Sequence, residues 1–145
     1  MQKSKVWSRF GTMIAVVMLL SVFVAFPIAV RAGDAKNGKK LFHGRPVANC
    51  VACHYFKGIE FPSDISPDFA EIMEDYADTP KDREKLRQWI YDAKKTKADP
   101  FMPSYGASKL LIFKGEENLP EDQKKKLIEQ RIDDIVEYLY TLKEK

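Results

Sequence analysis

The sequence predicts an all-α protein, on three observations. Apolar residues recur at helical spacing in several segments, residues typical of helix starts precede those segments, and no stretch alternates apolar and polar residues as a half-buried strand would. The chain has 145 residues, of which 45% are hydrophobic and 31% charged. This length suits one small domain with a single core, which excludes a large multidomain enzyme.

Helix starts are predicted at several capping residues. Asp34 can cap a first helix that runs to about Phe42, and Gly38 within it allows another backbone to come close. A capping residue followed by proline predicts two further starts, at Ser66-Pro67 and Thr79-Pro80.

Apolar residues at helical spacing predict how far these helices extend and which side chains they bury. The helix that starts at Thr79-Pro80 is predicted to reach about Lys95, and a last helix runs from about Pro120 to Leu142. The predicted buried positions are Phe69, Ile72, Met73 and Tyr76 in the second helix, Leu86, Trp89, Ile90 and Ala93 in the third, and Leu127, Ile128, Ile132, Ile135, Val136 and Leu139 in the last.

The formal charge of +3 is confined to the beginning of the chain. Residues 1–32 contain four basic side chains and no acidic one, which leaves 20 basic and 21 acidic side chains from Gly33 onward. No surplus of Lys and Arg remains there to neutralise phosphates, which argues against nucleic acid as a partner.

Residues 1–32 have the pattern of an export signal. Basic residues precede an uncharged run of 21 residues, Phe10 to Val30, and the small Ala32 follows, where a signal peptidase would cut. Pro27 favours a break in the helix and hence cleavage. The run is also long enough to span a bilayer, so a retained leader would anchor the domain to the membrane. In both cases residues 33–145 form the folded domain and lie outside the cytoplasm, in the periplasm of a bacterium.

The two cysteines carry the most specific signal in the chain. Cys50 and Cys53 are followed at once by His54, the Cys-x-x-Cys-His pattern of c-type haem attachment. Two thiols on one helical turn can form thioethers with the two vinyl groups of one haem, and the adjacent imidazole becomes the proximal iron ligand. The predicted cofactor is one covalently bound haem c.

Two other chemistries use cysteines at this spacing. A thioredoxin-like redox pair needs a βαβ setting, and no hydrophobic strand precedes Cys50. A structural zinc site needs four ligands, and only His43 is left to join the motif.

Met102 is the predicted second axial ligand. Prolines flank it, forbid a helix and hold it in a stiff loop, from which a thioether can point at the iron. The competing view is that Met102 only plugs the haem pocket. Met73 lies on an apolar helical stripe and is most simply core, and His43 is a possible imidazole ligand that lies close in sequence to the motif.

Aromatic and basic side chains near the motif have two interpretations each. Trp89 and Tyr105 carry polar tips that could reach haem propionates or backbone, or they are simply core. Five lysines lie on either side of the loop that contains Met102, residues 99–106 (the Met102 loop). They would steer an acidic redox partner, although a solvated helix end is the simpler explanation. They are Lys94, Lys95, Lys97, Lys109 and Lys114.

In this order, the motifs resemble class I cytochromes c. The resemblance rests on Gly38 and Phe42, the motif at 50–54, Pro67, the Met102 loop, and Ile135 and Tyr138, and it spans most of residues 34–142. It implies that the first and last helices cross at Gly38, Phe42 and Tyr138. It also implies that the Pro67 carbonyl accepts a hydrogen bond from His54.

Three segments are more specifically similar to the small monohaem X subunit of the sulfur-oxidation (Sox) cytochrome complex. They are 61–67, 86–92 and 99–106. This resemblance implies that the chain accepts electrons from a larger haem-bearing A subunit, where thiosulfate is joined to a carrier protein. The segment 107–119 is longer than expected for that family.

We therefore expect one-electron transfer rather than catalysis, because two axial ligands leave the iron no open position for substrate. The alternatives are a free or membrane-tethered carrier between other respiratory partners, and a haem enzyme or gas sensor with a labile sixth ligand.

Overall fold

A computed structural model describes residues 33–44, 48–56, 65–97 and 101–143. These residues form five α-helices and one short 3-10 helix, with no strand among them, which confirms the predicted all-α class. The predicted leader, residues 1–32, lies outside the described residues. Within the described ranges, no helix is both long and apolar enough to cross a bilayer.

The first helix, α1 (Ala35–His43), begins where the sequence predicts. The Asp34 carboxylate caps it by accepting hydrogen bonds from the backbone N–H groups of Lys36, at 2.8 Å, and Asn37, at 3.3 Å. Its Leu41 and Phe42 are buried. This helix packs most extensively against the last one, α5 (Glu121–Lys143).

The second helix, α2 (Phe69–Glu74), starts later than predicted. The predicted cap at Ser66 with Pro67 in the first turn is wrong, because the Asp68 carboxylate accepts a hydrogen bond from Ala70 N at 2.8 Å and begins the helix there. Pro67 therefore lies outside the helix, with its carbonyl group available to another part of the chain.

The third helix, α3 (Pro80–Tyr91), has the predicted Thr79 cap and first-turn proline but ends before Lys95. The backbone of Asp92 is not helical, so α3 ends there. Its carboxylate caps a short following helix, α4 (Ala93–Thr96). The buried face of α3 is the predicted one, with Leu86, Trp89 and Ile90.

The longer segment 107–119 is held against α5 by Arg131. The guanidinium makes two hydrogen bonds of 2.7 Å to the two carboxylate oxygens of Glu116 and a third, of 2.6 Å, to the carbonyl of Leu111. Its Cζ lies 3.8 Å from the ring centroid of Phe113. Leu111 is fully buried, so this segment adds to the core rather than forming a loose loop.

Candidate haem-binding site

The helices surround one large apolar cavity. It measures about 930 Å³ including its open mouth. Its walls come from α1, the 3-10 helix, α2, α3, the loop after residue 100, and α5. A flat hydrophobic cofactor fits such a lining.

The predicted motif forms one wall of this cavity. Cys50–Ala52 is a 3-10 helix, and the N–H groups of Cys53 and His54 both donate to the Cys50 carbonyl, at 3.2 and 3.0 Å. Asn49, in a left-handed conformation with φ 45°, precedes the turn. The single turn brings both thiols and the imidazole to the same cavity, as two thioether bonds to one haem require.

His54 is buried and oriented by the chain before α2. Its Nδ1 lies 3.2 Å from the Pro67 carbonyl oxygen, which can only accept, so Nδ1 carries the proton. In the neutral ring the lone pair is then on Nε2, the atom that a metal would bind. The ring also packs on Phe69, with centroids 4.4 Å apart. The bond between Pro67 and His54 is the one that the resemblance implied.

The Cys50 thiol is not activated in the way that a redox-active cysteine is. Burial raises the pKa of the Cys50 thiol to about 12, whereas reactive cysteines have lowered pKa values. Among the described residues, no group of three or more His, Cys, Asp or Glu side chains is arranged to hold a metal ion. His43, the fourth ligand that a zinc site would need, instead makes a 3.0 Å hydrogen bond from its ring to the Tyr138 hydroxyl.

Of the candidates for a second axial ligand, Met102 is the one on the cavity wall. It lies in a non-helical stretch after residue 100, half-buried, and lines the same cavity as His54. Met73 is 1% exposed and belongs to the core, as predicted, and neither it nor His43 is among the described lining residues.

Trp89 provides a polar group that a haem could use. It lines the cavity, and its buried Nε1 has no hydrogen-bond partner among the described residues. A buried N–H without a partner is costly, so a bound group with an acceptor oxygen would stabilise it. The apolar walls, the paired thiols, the oriented imidazole and this donor together fit a haem with carboxylate substituents.

Comparison with known protein families decides the identity of the fold. Residues 35–143 match the family described as Cytochrome c. The chain belongs to the cytochrome c family. Members of this family carry covalently attached haem c, and the matched region of this cytochrome c contains the Cys-x-x-Cys-His motif.

Among solved structures, this cytochrome c is similar to SoxXA from P. pantotrophus. The two are 26% identical, with a TM-score of 0.53 over 77% of this chain and 82% of the other. No curated protein matches. The predicted resemblance to class I cytochromes c, and among them to the Sox X subunit, is confirmed.

The structure shows the contacts of Tyr105 and of the lysines near the cavity. The Tyr105 hydroxyl bonds to backbone, one of the two outcomes predicted for it. The Lys97 ammonium lies over the Trp89 ring, 4.3 Å from its centroid, and Lys109 pairs with Glu121 at 2.6 Å. Lys94, Lys95 and Lys114 are exposed, and a ring of lysines that steers a partner stays a prediction.

The role of Asp92 was not predicted from the sequence. Its carboxylate caps α4 and also accepts a 2.7 Å hydrogen bond from Ser104, a buried residue two positions after Met102. An Asp just before Ala-Lys-Lys is a helix-start signal and could have located the break between α3 and α4. Nothing local to Ser104 indicates that it pairs with Asp92.

Proposed function

We propose that this electron-transfer cytochrome binds its haem through Cys50 and Cys53, with His54 and Met102 as the axial iron ligands. The observation that carries the proposal is that all four side chains line one apolar cavity. The bond from His54 to Pro67 supports its role, because a metal-bound histidine usually donates its other ring N–H to a fixed acceptor.

The haem supplies a one-electron redox step. The chain's own residues determine its environment: the thiols hold it, and the apolar walls of α3 and α5 exclude water. Trp89 Nε1 lies on the cavity wall as a donor for a propionate oxygen. A thioether ligand and a buried site both favour a higher reduction potential than two imidazoles would give. With His54 and Met102 as ligands, the iron would have no open position for substrate, so the chain by itself would not be a catalyst.

We further propose that the protein is exported to the periplasm and accepts electrons in a thiosulfate-oxidising Sox cytochrome complex. The similarity to SoxXA, over most of both chains, supports this role. The partner is then a larger haem-bearing subunit of the A type. A carrier tethered to the membrane by an uncleaved leader is the second candidate, favoured by the 21-residue uncharged run from Phe10 to Val30.

Gentle affinity purification of the tagged full chain from its native host tests the complex. We expect a second, larger haem-stained band to copurify, and thiosulfate to reduce the haem of the isolated pair when a carrier protein with a free cysteine is added, because the electrons come from joining thiosulfate to that thiol. The matched control is a Cys50→Ala/Cys53→Ala variant, whose own band should lose the haem stain. A single haem band in a monomeric peak that thiosulfate does not reduce would contradict the Sox role and leave the carrier.

A further inference from the structure

A buried hydrogen bond joins the two segments that present the proposed haem ligands. The Tyr105 hydroxyl donates to the Ala48 carbonyl at 2.7 Å, across 57 residues of sequence. Ala48 stands two residues before Cys50, and Tyr105 stands three residues after Met102. Both are buried, and Tyr105 itself lines the cavity.

The rest of the Met102 loop is fixed to α3. Tyr105 N donates to the Ile90 carbonyl at 3.2 Å, and Gly106 N donates to the Tyr91 carbonyl at 3.0 Å. The Ser104 hydroxyl donates to Asp92 at 2.7 Å. These bonds attach the loop to one side of the cavity, whereas the Tyr105 hydroxyl attaches it to the segment that carries the motif.

We propose that Tyr105 is a positioning residue that keeps the Met102 thioether at the haem iron against competing ligands. The proposal rests on the axial ligation by Met102 proposed above. If the loop swings out to release Met102, the hydroxyl leaves the Ala48 carbonyl, and a buried acceptor loses its partner. Because an unsatisfied buried group is destabilising, the bond shifts the balance toward the closed loop.

Tyr140 provides a matched control outside the lining of the cavity. Its hydroxyl also donates to a backbone carbonyl, that of Ala77, at 3.0 Å and across 63 residues. It is buried to a similar extent as Tyr105, 5% against 8% exposed, but it is not among the described residues that line the cavity. Tyr140→Phe therefore removes the same kind of bond without touching the Met102 loop.

The experiment is a titration of the oxidised holoprotein with imidazole, which displaces the methionine and changes the visible spectrum. For Tyr105→Phe we expect the apparent affinity for imidazole to rise about tenfold, equivalent to about 1.4 kcal/mol. For Tyr140→Phe we expect a change of less than about twofold in imidazole affinity, together with a loss of stability in denaturant unfolding comparable to that of Tyr105→Phe. Ser104→Ala, which removes the other side-chain anchor of the loop, should also raise the affinity.

Four results would overturn the inference. Unchanged imidazole affinity in Tyr105→Phe would show that the hydroxyl does not hold the loop. Equal increases in Tyr105→Phe and Tyr140→Phe would show a general loss of stability instead. If the Tyr105→Phe holoprotein does not accumulate, Ser104→Ala decides instead whether anchoring of the loop controls ligand exchange. An unchanged affinity of Ser104→Ala for imidazole would also overturn the inference. Met102→Ala distinguishes failure of the positioning role of Tyr105 from failure of the proposed ligation. If that variant keeps the wild-type spectrum, Met102 is not the ligand and both proposals are wrong.

Discussion

The backbone of Gly38 in α1 lies directly against the backbone carbonyl of Asp134 in α5. A Cβ atom on Gly38 would come within 2.9 Å of the Tyr138 Cβ and still closer to that carbonyl. Beside this contact the buried Asp134 carboxylate accepts hydrogen bonds from Asp34 N, at 2.7 Å, and from the Asn37 amide, at 2.6 Å. The crossing of the first and last helices thus depends on the absence of a side chain at Gly38 and on the hydrogen bonds that the buried Asp134 carboxylate accepts.

Gly38→Ala is expected to destabilise the holoprotein by about 1–3 kcal/mol, because the new methyl group meets backbone that cannot move without separating the two helices. Guanidinium unfolding of the holoprotein measures this. Lys39→Ala, at the next, exposed position of the same helix, is the control and should stay within about 0.5 kcal/mol of wild type. An equally small effect of Gly38→Ala would show that the helices can move apart there at little cost.

Local patterns were enough to predict most of the helices. Asp34 and Thr79 cap the helices that their positions indicate, because a capping side chain bonds only to backbone two or three residues ahead. The same signal gave a wrong start at Ser66, because Asp68 two residues later competes for the cap and wins. When two capping residues lie this close together, the sequence does not determine which of them begins the helix. For α2 the choice stays open until the packing of Phe69 and Ile72 is known.

Contacts between distant segments could not be predicted in this way. The bond from Tyr105 to Ala48 and the pairing of Arg131 with Glu116 join residues that no short pattern relates. The motif at 50–54 was predictable because covalent attachment confines its chemistry to five consecutive residues. The position of Met102 in a non-helical stretch was predictable only through the prolines around it, since they mark a stiff loop.

The ion pair between Glu116 and Arg131 should make stability depend on pH. The hydrogen bonds from Arg131 lower the pKa of Glu116 from 4.5 to about 2. A lowered folded-state pKa stabilises the protein above the ordinary value, and this contribution is lost as the pH falls from about 4.5 to about 2. We expect Glu116→Gln to reduce the free energy of unfolding by about 1–2 kcal/mol at pH 7 and by nothing near pH 2.

Urea unfolding of wild type and variant across this pH range measures the difference. Glu74→Gln is the control, since Glu74 is exposed and takes part in no ion pair among the described residues. A Glu116→Gln effect that is the same at every pH would show that shape rather than charge holds the segment 107–119.

Trp89→Phe should alter the acid–base behaviour of the haem while leaving its ligands in place. If Trp89 Nε1 donates to a propionate, it stabilises the ionised form, and its removal raises the pKa of that propionate. The inflection in the pH dependence of the reduction potential should then move upward by about one pH unit. Tyr76→Phe, which keeps the ring stacked on Trp89, is the control. An unmoved inflection would mean that the indole has another partner.

The two methionines of the folded domain should respond to truncation in opposite ways. Met102→Ala removes a side chain on the cavity wall and should open an axial position, so the reduced protein binds carbon monoxide rapidly and the spectrum of methionine ligation is lost. Met73→Ala removes a side chain that is 1% exposed in the core and should cost about 2–5 kcal/mol while the spectrum stays. Each variant is the control for the other, and visible spectra with denaturant unfolding distinguish them. If Met73→Ala loses the low-spin spectrum while Met102→Ala keeps it, the iron takes its second ligand from α2, and the loop after residue 100 only closes the cavity.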